Sequence, residues 1–305
     1  MGTIARHGVL VAFLGIGWLF QVSDARSADP AELRLKFRVG QSSRYVSKVL
    51  TIHRRVGEDR DETQHMTETT VFSLEVTSVD AQGVAKVGQT NERTRLDISN
   101  PEASLHFDSA DKDNPTDGGM FAMVYGAMIG QTVVRTVNPR GEAESITFPR
   151  ALLEAFGVKE ERMQAQFKSD PILLLFVPGH LYLPEKPLAV DKSLEERKRL
   201  EHQKGEINCR IEYARKPAEL VDGRELERID YAVQFEPESL ERLNAMKYEI
   251  SGTALLDLQQ SEFVDVEFSH TTVMDLGVFI AEVSGKRTTR LLAADEDPFA
   301  AKQDK

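Results

Sequence analysis

The chain has almost no sulfur chemistry to draw on: Cys209 is the single cysteine among 305 residues. No internal disulfide can form, so an exported protein of this sequence must be held by a packed core. No cysteine follows the apolar N-terminal stretch, which excludes lipid attachment of the bacterial lipoprotein kind. Cys209 itself lies in Ile207-Asn208-Cys209-Arg210-Ile211, on the parity of the two isoleucines, and reads as a small buried hydrophobe. Tryptophan is equally scarce, with Trp18 the only one. No H-x-H, H-x-x-E-H or H-E-x-x-H pattern is present among the 7 histidines, so zinc has no support. G-x-S-x-G, the P-loop and the glycine-rich dinucleotide fingerprint are missing too. No cofactor is implied, and no catalytic residue can be singled out from the 49 acidic side chains by spacing alone. Basic charge is in deficit: a net charge of −11 repels phosphate backbones and anionic headgroups, which argues against nucleic acid as a partner. The one basic cluster, Arg197-Lys198-Arg199, is flanked by Glu195, Glu196 and Glu201 and reads as a solvated mixed face.

What is present begins at the N-terminus. Arg6 and His7 precede an apolar run from Gly8 to Val22, and Ser23 and Ala25 form the small-x-small pattern of a signal-peptidase site. The run is shorter than the roughly 20 residues that span a bilayer. Residues 1–25 are therefore expected to be a secretion signal, placing the rest in the periplasm or outside the cell with no membrane span left after cleavage. If the segment is retained, the protein is N-terminally anchored instead. Cleavage removes Trp18, so the processed chain is expected to show no tryptophan emission.

The body, 26–292, reads as one β-rich domain with a helical middle at about 118–170, and 293–305 as a disordered acidic tail. Leu35, Phe37 and Val39 alternate with charged residues and predict a strand; Tyr45 to Ile52 follows, with Val46, Leu50 and Ile52 on one parity. Thr70 to Val76 alternates cleanly and is rich in β-branched residues, and Asp80 to Gly83 is a turn before Val84 to Ile98. The loop 108–119 has three close aspartates but lacks the glycine and glutamate of a calcium loop at their required places. Gln131 to Thr147 predicts a hairpin turning at Asn138-Pro139-Arg140-Gly141. Pro149 and Gly157 bracket a short helix, and Val158 to Phe167 is a second. Helical propensity favours a helix for Ser193 to Glu206. Strands then resume at Glu206, Arg224 (after the Asp222-Gly223 turn), Tyr248, Phe263 and Lys286.

Two apolar segments stand out, Met120 to Ile129 and Pro171 to Leu183. The first is too short to span a membrane, and the second is punctuated by Pro178-Gly179. Methionine is adaptable and suits surfaces that accept varied apolar ligands. Met120, Phe121, Met123, Val124 and Met128, with Leu173, Leu175 and Val177, are thus candidates to line an apolar cavity; the alternative is that they fill the core.

The order of parts resembles an exported bacterial family of unknown function, akin in architecture to the periplasmic lipoprotein carriers of the LolA and LppX type. The residues that carry the likeness are the early strands ending at Gly83, the hairpin Gly130 to Gly141, the stretch Leu181 to Val190 and the strand Ile250 to Asp257. The Gly-Asp-Ser-Trp-like turn usual in that family is replaced by Asp191-Lys192-Ser193-Leu194. The resemblance implies an α+β fold in which a curved, mainly antiparallel sheet, half-barrel-like, carries a few helices on its concave side. It also implies that Ser193 to Gln203 is a strand. The expected function is non-enzymatic binding or carriage of a lipid or acyl ligand in the cell envelope; the alternative is an envelope scaffold whose partner is another protein.

Overall fold

The structure, a computed structural model, describes residues 30–57, 61–111, 119–167, 181–202, 204–277 and 279–300. The expected signal segment and the candidates Leu173, Leu175 and Val177 lie outside them. The described elements are β1 (Ser42–Gly57), β2 (Asp61–Val79), β3 (Ala85–Ser99), β4 (Ser104–Asp108), α1 (Gly119–Met128), β5 (Thr132–Val137), β6 (Ala143–Thr147), α2 (Arg150–Phe156), α3 (Glu160–Phe167), β7 (Lys192–His202), β8 (Gly205–Val221), β9 (Arg224–Phe235), α4 (Pro237–Leu243), β10 (Lys247–Asp257), β11 (Glu262–Asp275) and β12 (Phe279–Leu291).

The strands form one twelve-stranded sheet in the order β6-β5-β3-β2-β1-β12-β11-β10-β9-β8-β7, with β4 also on β3. Every ladder is antiparallel. The sheet is curved and stops short of closing into a barrel, giving an α+β fold with few helices. Long hairpins build most of it, because alternating, β-branched segments are separated by turns that need positive φ, such as Asp222-Gly223 between β8 and β9. The last strand then returns to the first: β12 pairs with β1 from Tyr45↔Leu291 to Gly57↔Phe279 and joins the two halves. On the edge away from β2, β3 serves two further partners, β5 along Ala85–Thr90 and β4 along Arg95–Ser99.

Several sequence expectations change here. On β1 the buried parity is Tyr45, Ser47, Val49 and Thr51, whereas Leu50 on the other parity is 42% exposed. The register decides this, since Tyr45 pairs with Phe72 and their rings stack at 5.5 Å. Leu35 to Val39 joins no ladder; it runs as an extended segment bonded through Leu35 N–H to the Pro139 carbonyl at 2.7 Å, with Leu33 and Leu35 buried. Lys192 to His202 is a strand against its helical propensity, because ladder bonds to β8 and two inward leucines outweigh a few tenths of a kcal/mol per residue. Within it Lys198 points inward, leaving Arg197 and Arg199 on the other parity.

The tail expected to lack structure is in contact as far as residue 300. Glu296 pairs with Arg290 of β12, its carbonyl accepts from Arg44 of β1 at 2.8 Å, and Phe299 lies beneath Arg93 and Arg95 of β3. The segment straps the outer face of the sheet across those strands.

Two glycines are dictated by geometry. Gly141 has φ +82° and a Cβ there would sit 2.5 Å from the Leu181 carbonyl oxygen. Gly252 on β10 lies under Tyr231 of β9, whose hydroxyl reaches over it to donate to the Glu267 carbonyl on β11 at 3.1 Å.

Candidate functional site

The site grows out of how the sheet curls. The β5–β6 turn belongs to one edge of the strand order and β7 to the other, yet they touch. Asn138 Oδ1 accepts from the backbone N–H groups of Arg140 and Glu142, which aims both side chains outward from the turn. Arg140 Nη2 then meets Glu196 Oε2 at 3.0 Å and Lys198 pairs with Glu142. Both cations sit over the Tyr182 ring, at 4.3 and 4.0 Å. These groups are half-buried or better, so the pairs are poorly screened and latch the two edges at one end of the sheet. Leu33, Leu35, Leu181 and Leu183 are buried within the latch. Next to it, a gap of about 20 Å³ lined by Tyr45, Leu74, Val76 and Val87 has room for a single water. This end is sealed.

The covered face has two unlike walls. From β8 to β11 it is a continuous apolar cluster including Ile211, Tyr213, Ile229, Val233, Ile250, Ala254, Val266 and Phe268. Across β12, β1, β2, β3 and β5 the same face carries a buried polar band: Thr289, Ser47, Thr70, Thr94, Asn91 and Arg135. The band is internally bonded. Thr70 Oγ1 donates to Glu68 at 3.0 Å and meets Thr94 Oγ1 at 3.1 Å. Tyr125 of α1 donates its hydroxyl to the other Glu68 oxygen at 2.7 Å, and its ring packs on Phe107 of β4. Burial, and then the Glu68 charge, push the Tyr125 phenol well up, so it stays a donor. On the apolar wall burial similarly raises Tyr213, whose hydroxyl has no hydrogen-bond partner.

At the opposite end the same face is left unfinished. Met66, Thr272, Met274, Ala281 and Val283 share the inward parity of the buried cluster but are only half-buried. A groove of about 330 Å³ opens there, its lining mostly charged and polar, with Arg55, Glu62, Gln64 and Glu102 among them, and apolar at Ala281 and Val283. That volume is at the low end of small-ligand sites. α1 stands nearby, uncharged along its length and anchored by Tyr125. A helix apolar all round is ordinarily buried all round. Here Met123 is 59% exposed, and Val124 and Met128 are half-buried.

The expected cavity residues thus fare differently. Met120 and Phe121 lie in α1, and Val124 and Met128 share that helix with Met123. The segment with Leu173, Leu175 and Val177 is outside the described residues. Sequence reasoning passed over Arg135 and the Glu68–Tyr125 pair. Arg135 had a signal: it occupies the parity of Val133 and Val137 in an alternating strand. Cys209 is buried as expected, and burial pushes its thiol up to about 12. Among the described residues no cluster of His, Cys, Asp and Glu is arranged for a metal, and no helix is long and apolar enough to cross a membrane.

No protein-family model matches the chain, and no curated protein matches it. In fold it is similar to a structure described as lipid–protein interactions in lipovitellin, with a TM-score of 0.51 and 10% identity over 84% of this chain. The match spans 25% of the lipovitellin chain, so this protein corresponds to about a quarter of that length. Similar structures also include an outer membrane lipoprotein-sorting protein domain from Vibrio parahaemolyticus and a DUF1329 family protein from Desulfovibrio piger. Each is 10% identical with a TM-score of 0.16, covering 84% of this chain and 88% and 89% of theirs.

Proposed function

We propose that this protein binds a lipid or acyl ligand on the covered face of its sheet, in the cell envelope, without catalysing a reaction on it. The observation that carries this reading is the contrast between the two ends of that face. One is latched and packed; the other leaves inward apolar residues and an apolar helix partly uncovered. Uncovered apolar surface beside a concave sheet costs about 25 cal/mol per Å² until something apolar takes it out of water. Met123, Val124 and Met128 of α1, with Met66, Met274 and Val283 of the sheet, form the ligand surface in this reading. Met120, Phe121, Leu173, Leu175 and Val177 are the further candidates that the sequence offers for it. The lipovitellin likeness supports the fold, and the lipid named in that structure's description motivates the ligand class. The N-terminal signal pattern supports the envelope location.

The test is to purify the full chain without detergent, extract it with organic solvent and identify what leaves by mass spectrometry. Stripped protein should then take up a fluorescent acyl probe to saturation, and Met274→Glu should weaken that uptake at least tenfold. Protein that carries no lipid and shows no saturable uptake would sink the proposal.

A further inference from the structure

Arg135 stands where an arginine is costly. It lies on β5 opposite Val87 of β3, on the covered face beside the cluster of Tyr45, Phe72, Leu74 and Val137, and is 8% exposed. Its Nη1 donates to Gln89 Oε1, while Nε is buried with no acceptor. No carboxylate among the described residues pairs with it. Burial lowers its pKa only to about 10, so it is cationic at neutral pH. Arg215 shows what the chain does when it supplies the counter-charge. Also buried, Arg215 is held by both oxygens of Glu227 at 2.9 Å and by the Leu188 carbonyl at 3.1 Å. An ionised group taken out of water without such a partner is strongly disfavoured.

The surroundings of Arg135 point along the interior. Gln89 Nε2 donates to Asn91 Oδ1 at 3.1 Å, and the Asn91 carbonyl accepts from Gly130 N–H at 2.8 Å, at the C-terminal foot of α1. In register, Arg135 is level with Val87 and Val76. From Val76 along β2 to Met66 at the unfinished end is roughly 30 Å of covered face, the path an acyl chain would follow.

We propose that Arg135 anchors the anionic head of a single-chain amphiphile, a fatty-acid carboxylate, whose chain runs from there under α1 toward the open end. A planar guanidinium with free N–H groups matches a carboxylate's two oxygens. Gln89 and Asn91 orient the cation. This deepens the ligand reading above and rests on it.

The test uses the full chain stripped of lipid, with palmitate, hexadecanol and inorganic phosphate as probes. Wild type should bind palmitate about 10- to 100-fold more tightly than hexadecanol, the range of hydrogen bonds to a charged group. Arg135→Met should lose that preference, keep hexadecanol, and melt no lower than wild type when ligand-free, because it removes an unpaired charge. Equal affinity of wild type for both chains overturns the anchor and leaves the acyl-ligand reading standing. Failure to bind either chain overturns both. Stabilisation by phosphate equal to that by palmitate overturns the amphiphile in favour of a simple anion site. Should the variant not fold, palmitate labelled at its carboxyl carbon decides on wild type. Titration of the bound carboxyl below that of palmitate in neutral micelles supports the anchor, and an equal or higher value refutes it.

Discussion

Gly252→Ala should be among the most damaging single-methyl additions in this protein. The methyl carbon would lie 2.0 Å from the Glu267 carbonyl oxygen, 2.6 Å from the Tyr231 hydroxyl and 2.8 Å from the Phe268 Cα, all below the 3.0 Å under which real Cβ contacts essentially never fall. Two of those obstacles are backbone of the neighbouring strand β11, so no rotamer change relieves them. The β10–β11 ladder must open beyond its normal spacing of about 4.8 Å. Forcing a methyl into filled space costs about 1–3 kcal/mol, and displacing Tyr231 loses a hydrogen bond worth about 1 kcal/mol, so about 2–4 kcal/mol is expected in all. For a domain of this size that lowers Tm by roughly 5–15 °C. Calorimetry or urea denaturation followed by circular dichroism measures it. The contrast is Gly126→Ala in α1, where an added Cβ meets nothing within 4 Å. Helix propensity alone makes that change stabilising by about 0.5–1 kcal/mol. Adding Tyr231→Phe should leave Gly252→Ala largely unrescued, since the worst contact is with backbone. Gly252→Ala within 0.5 kcal/mol of wild type, or full rescue by Tyr231→Phe, would refute the close approach of β10 and β11 argued here.

Removing the edge latch with Arg140→Ala leaves Glu196 half-buried without its partner and frees the Leu183 carbonyl, so a loss of about 2–3 kcal/mol is expected in urea titrations. The Asp108 carboxyl is held well below the usual carboxylate range, first by its hydrogen bond from Arg93, with Ala110 N–H and Arg95 adding to it. A folded-state pKa below the unfolded one means stability that is complete above about pH 4 and is lost as pH falls through the folded value. Asp108→Asn should therefore lower stability at pH 7 and flatten the acid limb of the stability–pH curve; an unchanged acid limb counts against that assignment. With its thiol buried and its pKa raised, Cys209 should resist a thiol reagent in the native protein at pH 8 and react at once in denaturant.

Much of the fold is legible in the order of the residues. Alternation along Thr70 to Val76, the Asn138 to Gly141 and Asp222-Gly223 turns, and the Pro149 and Gly157 brackets of α2 are local signals, and each appears where local chemistry puts it. Lys192 to His202 is different. Its charges and leucines favour a helix in isolation, and only an edge of sheet offered by β8 makes it a strand. The same holds for the parity of β1, which depends on Phe72 lying beside Tyr45, and for Leu33 and Leu35, which become buried by filling a gap instead of extending the sheet.

The sequence by itself determined the class of object: an acidic, disulfide-free, β-rich chain with an export signal pattern and no known catalytic signature. Those properties follow from composition and near-neighbour spacing, which need no knowledge of distant contacts. Only the tertiary structure decided which face is covered, that the β5–β6 turn meets β7, and that Arg135 lies in the interior without a carboxylate partner among the described residues. These depend on residues far apart in the chain being brought side by side, and curvature of a twelve-stranded sheet is written in no single segment of it.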